Sequence, residues 1–405
     1  MTGYKPREIS KVLNEALENM PVVVLSGMRQ AGKSTLLLNQ PELHNRRYMT
    51  FDDFGVLEAA RRNPEELIAG EEPLTIDEAQ KYPELLNVIK REVDKKRTPG
   101  RFLLSGSANF LLLKKVAESL AGRAVYLTLH PFTRREIQGV TKEIPAIVYF
   151  LEKGVFPNRN VKPISWQEIM KGGMPSVCLK EVKNPSIWFR GYEQTYLERD
   201  IRTLSQVADL ISFRHLLQLV ALRNTKVLNI SELARDAKLN VVTTSRYLSL
   251  METSFILSRM PPYLGNRSSR LIKSPKIYLS DTGLASYLAG IKSLDLNETN
   301  RGTFLENYVA QNLEGVFSAH YPDAKVTYWN IQGRYEVDFI IEIGSETIAI
   351  EVKNSSRWQE RDLSGIKAYL GSSKRCRAAI LAYNGNDVVK LENKISAVPI
   401  SMLLS

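Results

Sequence analysis

The stretch PVVVLSGMRQAGKSTL, residues 21–36, constrains this chain more than any other. Its apolar, valine-rich start reads as a strand buried on both faces. Gly27-Met28-Arg29-Gln30-Ala31-Gly32-Lys33-Ser34 follows, and a helical continuation begins at Thr35. Strand, glycine-bracketed loop and helix in that order make a phosphate cradle. The glycines let backbone N–H groups close round an anion at a helix N-terminus, Lys33 reaches the outer phosphates, and the Ser34 hydroxyl is a magnesium ligand. The N-terminal part is therefore expected to be an α/β nucleotide-binding unit, with residues 27–35 round the phosphates.

Two further strands belong to such a unit. Pro73-Leu74-Thr75-Ile76 ends in Asp77-Glu78. There an aspartate holds magnesium through water, and the next glutamate polarises the water that attacks the γ-phosphate. Arg101-Phe102-Leu103-Leu104 ends in Ser105-Gly106-Ser107. Ser105 suits a polar sensor between water and γ-phosphate, and equally a loop cap. A helix-like NFLLLKKVAESLAG, then Arg123, then the strand AVYLTL complete the series.

This order resembles AAA+ ATPases. The stretches DEAQKYPELLNVIKREVD, SGSANFLLLKKVAESLAGR, LHPFTRREI and GYEQTYLERDI are similar to those of prokaryotic AAA_14-type ATPases that carry a C-terminal domain of unknown function, DUF4143. The resemblance spans nearly the whole chain. It implies a parallel sheet with helices on both faces, ATP and Mg2+ as cofactors, a homo-oligomer such as a ring, and a DNA-directed tail. It also implies that Arg123 reaches the nucleotide of a neighbouring subunit. The alternative for Arg123 is a cation at a helix C-terminus, favoured there by the dipole.

Residues 141–212 are rich in proline, glycine and aromatics without clean periodicity, and read as a linker leading into a helical segment. From 213 the pattern is helical again. Ser231 caps ELARDAKL, Leu239-Asn240 turns, VVTTSRYLSLMET follows, and FILSRMPPY is β-like, as a wing would be. A winged helix over 213–290 would offer Thr243, Thr244, Ser245 and Arg246 to phosphates or base edges. A packing module serving as the ATPase lid fits the same pattern, and the two roles are compatible.

The tail, 291–405, holds EVDFIIEIGSETIAIEVKNSSR at 336–357. Gly344-Ser345 is a two-residue hairpin turn, so Ile343 faces Glu346 and, counting back, Asp338 faces Glu351. Opposed residues have their Cβ atoms roughly 5 Å apart, where like charges repel. A divalent cation would compensate, and Lys353 shares the face of Glu351. The other reading is a solvent-facing hairpin. Glu306, on a helix beginning at Phe304, adds a third carboxylate. Glu306, Asp338, Glu351 and Lys353 match, residue by residue, the site of a restriction-endonuclease-like fold, with Val337 in place of the frequent proline. That resemblance implies carboxylates holding magnesium or manganese and a lysine at the nucleophile.

Lysine plus arginine exceed aspartate plus glutamate by 55 to 44, a formal charge of +11, which favours a polyanionic partner. No apolar run is long enough to span a bilayer. Cys178 and Cys376 lie far apart and the four histidines are scattered, so a cytoplasmic location without disulfides or zinc is expected. The whole reads as residues 1–140 ATPase core, 141–212 linker, 213–290 winged helix and 291–405 nuclease-like tail. The expected activity is ATP-driven remodelling of, movement along, or gating of DNA, branched DNA included. The alternatives are an ATP-licensed, magnesium-dependent DNA endonuclease and a nucleotide-switched signalling scaffold that binds a protein.

Overall fold

The structure, a computed structural model, describes residues 3–107, 120–196, 201, 209–264, 273–292, 297–331 and 334–405. Most of the expected helix between the Ser105 strand and Arg123, and much of the segment after Thr195, lie outside these residues.

Strands β1 (Val22–Ser26), β2 (Arg47–Thr50), β3 (Leu74–Asp77), β4 (Phe102–Gly106) and β5 (Ala124–Thr128) form a sheet of order β2-β3-β4-β1-β5, every pair parallel. Strand β1, between β4 and β5, is buried at all five positions, because helices cover both faces. Alternation divides the strand's side chains. Val22 and Val24 enter one apolar core with Ile76, Leu104 and Ile89, while Val23 and Leu25 enter another with Leu13, Leu36 and Leu103. The α/β expectation for this part holds.

Residues 141–212 contain the helices Ala146–Lys153, Trp166–Lys171, Pro175–Cys178 and Pro185–Thr195. Two of them have proline in the first turn, where its missing N–H costs nothing, and Ser165 and Asn184 cap two of them. Beyond them, Ile230–Asp236 and Val241–Thr253 realise the helix-turn-helix spacing. Their caps are Asn229, which accepts the Glu232 N–H, and Asn240, which accepts the Thr243 N–H. Ser231 is therefore inside the first turn and is not the cap. Thr244 is fully buried and its hydroxyl donates to the Asn240 carbonyl at 2.9 Å, so it cannot serve a partner from outside. The FILSRMPPY stretch contributes β6 (Leu257–Met260), antiparallel to β7 (Lys276–Leu279).

The C-terminal sheet has the order β12-β13-β11-β10-β9-β8, with β8 Lys325–Ile331, β9 Tyr335–Ile343, β10 Glu346–Lys353, β11 Cys376–Tyr383, β12 Val389–Lys390 and β13 Ile395–Pro399. Gly344 takes φ +58° in the β9–β10 turn, and Ile343 faces Glu346. A 23-residue helix, Glu298–His320, packs against this sheet. It starts earlier than Phe304, capped by Asn297. One apolar cluster runs from Met28 and Ala31 of the phosphate loop through Val177, Leu216, Tyr247 and Phe304 to Ile350 and Leu403. Among the described residues, no helix is long and apolar enough to cross a membrane.

Candidate functional site

The phosphate loop leaves β1 at Ser26. Gly27 has φ +151°, and a Cβ there would lie 2.3 Å from the Leu129 carbonyl oxygen, so only glycine fits. Gly32, at φ +97°, starts the helix Lys33–Asn39. Lys33 is buried, and its Nζ donates to the carbonyls of Gly27 at 2.8 Å and Met28 at 2.9 Å. Arg7 locks the loop from the other side. It donates to the carbonyls of Ala31 at 2.9 Å and His130 at 2.6 Å, and its guanidinium lies 4.1 Å from the centre of the Phe132 ring.

Above the loop is a cavity of about 390 Å³. Arg29, Gln30, Gly32, Lys33, Ser34 and Thr35 line it, while Gly27, Met28 and Ala31 of the same loop do not. Glu78 and Ser107 close one side, and Tyr4, Phe132, Pro175 and Leu179 give it apolar walls. The loop's N–H groups and Lys33 suit phosphates, and the walls suit a base.

Asp77 is buried behind Glu78, accepting from the Tyr48 hydroxyl at 3.0 Å and from the Glu78 N–H at 3.0 Å. Burial, followed by Asp77, pushes the Tyr48 hydroxyl well up, which keeps it a donor. Glu78 adopts φ +56°, an uncommon conformation for a residue with a side chain, which occurs at functional turns. Burial raises its pKa, with Lys33 pulling the other way. Gln80 donates to the Glu78 carboxylate and, at 3.3 Å, to the Ser107 hydroxyl.

The structure places Ser105 away from the cavity lining. It is fully buried, its hydroxyl has no hydrogen-bond partner among the described residues, and the serine facing the cavity is Ser107. The parallel strand carries Ser105 opposite Leu25 and brings only the residue two places on to its exposed end. Arg123 does not line the cavity. It makes a bidentate pair with Asp94, Nε to Oδ1 at 2.6 Å and Nη2 to Oδ2 at 2.9 Å, and donates to the Ala121 carbonyl. The sequence reading missed Tyr4, Arg7, Gln80, Phe132 and the 175–179 wall. Gln80, two places beyond Glu78, is the one with a local signal.

The second acidic group lies in the C-terminal sheet. β9–β10 pairing follows the expected register to Phe339 opposite Ile350. One step further, the Asp338 side chain takes over from the backbone and accepts the Val352 N–H at 2.8 Å. Glu306 reaches the same region, and its carboxylate accepts from the Tyr278 hydroxyl at 2.7 Å. Glu351 accepts from Lys353 at 2.7 Å, while its other oxygen is buried without a hydrogen-bond partner among the described residues. The residue not foreseen is Lys276 of β7. Its ammonium lies 3.0 Å from Glu306 and 3.6 Å from Asp338, and also contacts Glu336.

Burial and then Asp338 push Glu306 up to about 7 and Glu351 up to about 8. Burial works to discharge Lys276, but Glu306, Asp338 and Glu336 outweigh it and hold the ammonium charged. The structure brings the four expected residues into one region, with Lys276 among their carboxylates. Among the described residues, no group of three or more histidine, cysteine, aspartate or glutamate side chains is arranged to hold a metal ion. Glu306 and Asp338 share a lysine, Glu351 takes a different one, and this arrangement does not fit a divalent cation.

Residues 19–138 match the AAA domain family AAA_14, residues 164–295 a domain of unknown function, DUF8612, and residues 301–403 another, DUF4143. Three family models, an AAA domain and two domains of unknown function, thus match successive stretches of the chain. It is similar to uncharacterized proteins of Mycobacterium tuberculosis and Mycobacterium bovis, each 29% identical over 408 residues, covering 98% of this chain and 84% of theirs. Among solved structures, a Walker-type ATPase of Pyrococcus abyssi aligns with a TM-score of 0.42 and 17% identity, over 71% of this chain and 99% of its own.

Proposed function

We propose that this chain is an ATP-hydrolysing AAA protein that acts on DNA in the cytoplasm, with residues 1–140 turning over ATP and the remainder engaging the nucleic acid. The observation that carries the reading is the single cavity that joins Lys33, Ser34, Glu78 and Ser107. Magnesium bound with ATP neutralises phosphate charge there. Lys33 leaves the carbonyls of Gly27 and Met28 for the outer phosphates, and Ser34 and Asp77 are the residues that would hold the metal. Glu78, raised by burial and oriented by Gln80, takes the proton of the attacking water. Ser107, linked to Gln80, reports the γ-phosphate. Arg123 of a neighbouring copy in a ring completes the site once it has left Asp94.

Support for DNA is the net charge of +11 and a helix-turn-helix whose second helix keeps Arg246 exposed and Thr243 and Ser245 half-exposed. The C-terminal sheet serves in this reading as a binding platform, and no cleavage step is assigned to it. The test is ATP hydrolysis with and without duplex, forked and four-way DNA. Stimulation that Arg246→Ala weakens is expected. A rate indifferent to every DNA, but raised by a protein partner, favours the signalling alternative. Mixing Arg123→Ala with Lys33→Ala subunits should restore some hydrolysis. A monomer working at full rate excludes the action between subunits.

A further inference from the structure

The cation at the C-terminal carboxylates belongs to the chain itself. Glu306 comes from the long helix and Asp338 from β9, whereas Lys276 comes from β7, which pairs with β6 and by a bridge with Val227. Lys276 is 4% exposed at its side chain, and its ammonium lies over the Tyr328 ring at 5.7 Å. An ammonium so deeply buried persists only where carboxylates face it, and here Glu306, Glu336 and Asp338 do. Tyr278, two residues on along the same strand and hence on the same face, donates to the same Glu306 oxygen that Lys276 contacts.

A magnesium or manganese ion needs carboxylate oxygens at about 2.0–2.2 Å and keeps several waters about it. The Glu306 oxygen that accepts from Tyr278 also contacts Lys276, and a divalent ion beside that ammonium would set two like charges face to face in a buried space. We propose that Lys276 is the resident cation of this site: its ammonium stands between Glu306 and Asp338 where a divalent ion would have to sit, and docking of β7 therefore keeps the C-terminal carboxylates metal-free. The site is an internal ammonium site, opened to divalent cations only when Lys276 leaves. This inference stands apart from the ATPase reading, since it concerns neither the phosphate loop nor hydrolysis.

The test uses the full chain without nucleotide and Mn2+ as the probe, following free Mn2+ by electron paramagnetic resonance and folding by thermal melting. The parent and Lys276→Arg are expected to bind no Mn2+ that Asp338→Asn can remove. Lys276→Met is expected to gain a Mn2+ site, accompanied by a rise in melting temperature with the metal, and Asp338→Asn in that background should abolish both. Should Lys276→Met fail to fold in chelator, recovery of its melting transition on adding Mn2+ is the expected result. Mn2+ binding by the parent that Asp338→Asn removes overturns the proposal. So does a Lys276→Met protein that gains neither binding nor stabilisation.

Discussion

Two buried lysines, Lys33 and Lys276, have the same charge and opposite company. Lys33 rests on two backbone carbonyls, whereas Lys276 rests on carboxylates. A hydrogen bond between an ion and a neutral partner contributes about 1.5–3 kcal/mol, and a phosphate bearing several charges can displace it. Removing one partner of a buried ion pair costs about 3–5 kcal/mol, because the other charge is left uncompensated. The first lysine is poised to change partners and the second is locked. Position in a fold does not distinguish them; the formal charge of what they touch does.

The largest expected effect tests whether turnover resides at the poised site alone. Glu78→Gln should lower the rate of ATP hydrolysis by about 10²–10⁴-fold with nucleotide binding retained. Glu351→Gln should leave the rate within about twofold, since it touches nothing in the nucleotide cavity. Steady-state hydrolysis beside fluorescent-nucleotide binding measures both, and a matching loss in the two variants breaks the comparison.

Next comes the cost of each lysine to folding. Lys276→Met should destabilise the chain by about 3–5 kcal/mol, and Lys33→Met by about 1 kcal/mol or less, because the carbonyls it leaves can be re-solvated from the cavity. Urea denaturation of the two variants decides it, and equal losses would mean that the partners' charge is not what matters. Tyr278→Phe sharpens the locked side. It removes one charge-assisted hydrogen bond to Glu306 and should cost about 1.5–3 kcal/mol in the same assay.

The remaining effect is one of sign. Glu351 titrates near 8 when folded, against about 4.3 in an unfolded chain, so between those values the folded state holds more protons than the unfolded one. Its contribution to stability is therefore present at low pH and lost as pH rises towards 8. Glu351→Gln should flatten this slope and leave the variant more stable than the parent above pH 8. Melting temperatures between pH 5 and 8.5 would show it, and a parallel slope in parent and variant would refute the assignment.

What could be read from the sequence was what lies close together in it. The phosphate loop is one contiguous segment, and the β9–β10 register follows from a two-residue turn, so neither needs tertiary information. Lys276 lies 30 residues before Glu306 and 62 before Asp338, in a short strand whose neighbours give no sign of carboxylates, and only the packing of β7 brings them together. Ser105 and Ser107 read alike in sequence, since a strand end is uncertain there by the two residues that separate a buried hydroxyl from a lining one. Between 141 and 212, Pro175 and Pro185 look like linker punctuation but open helices, since the first turn tolerates proline.

The helix Glu298–His320 gives these two regions a shared mechanical element. Near its start is Glu306. Further on, Asn312 accepts the Arg134 N–H, Gln311 donates to the carbonyl of Phe132, and His320 pairs with Glu8 beside Arg7. Phe132 and Arg7 also line the nucleotide cavity. At 1.5 Å per residue, the 14 residues from Glu306 to His320 form a lever arm of about 21 Å. Along that length, one continuous helix joins residues that bond to the cavity's Phe132 and to Glu8 with the carboxylate that Lys276 contacts.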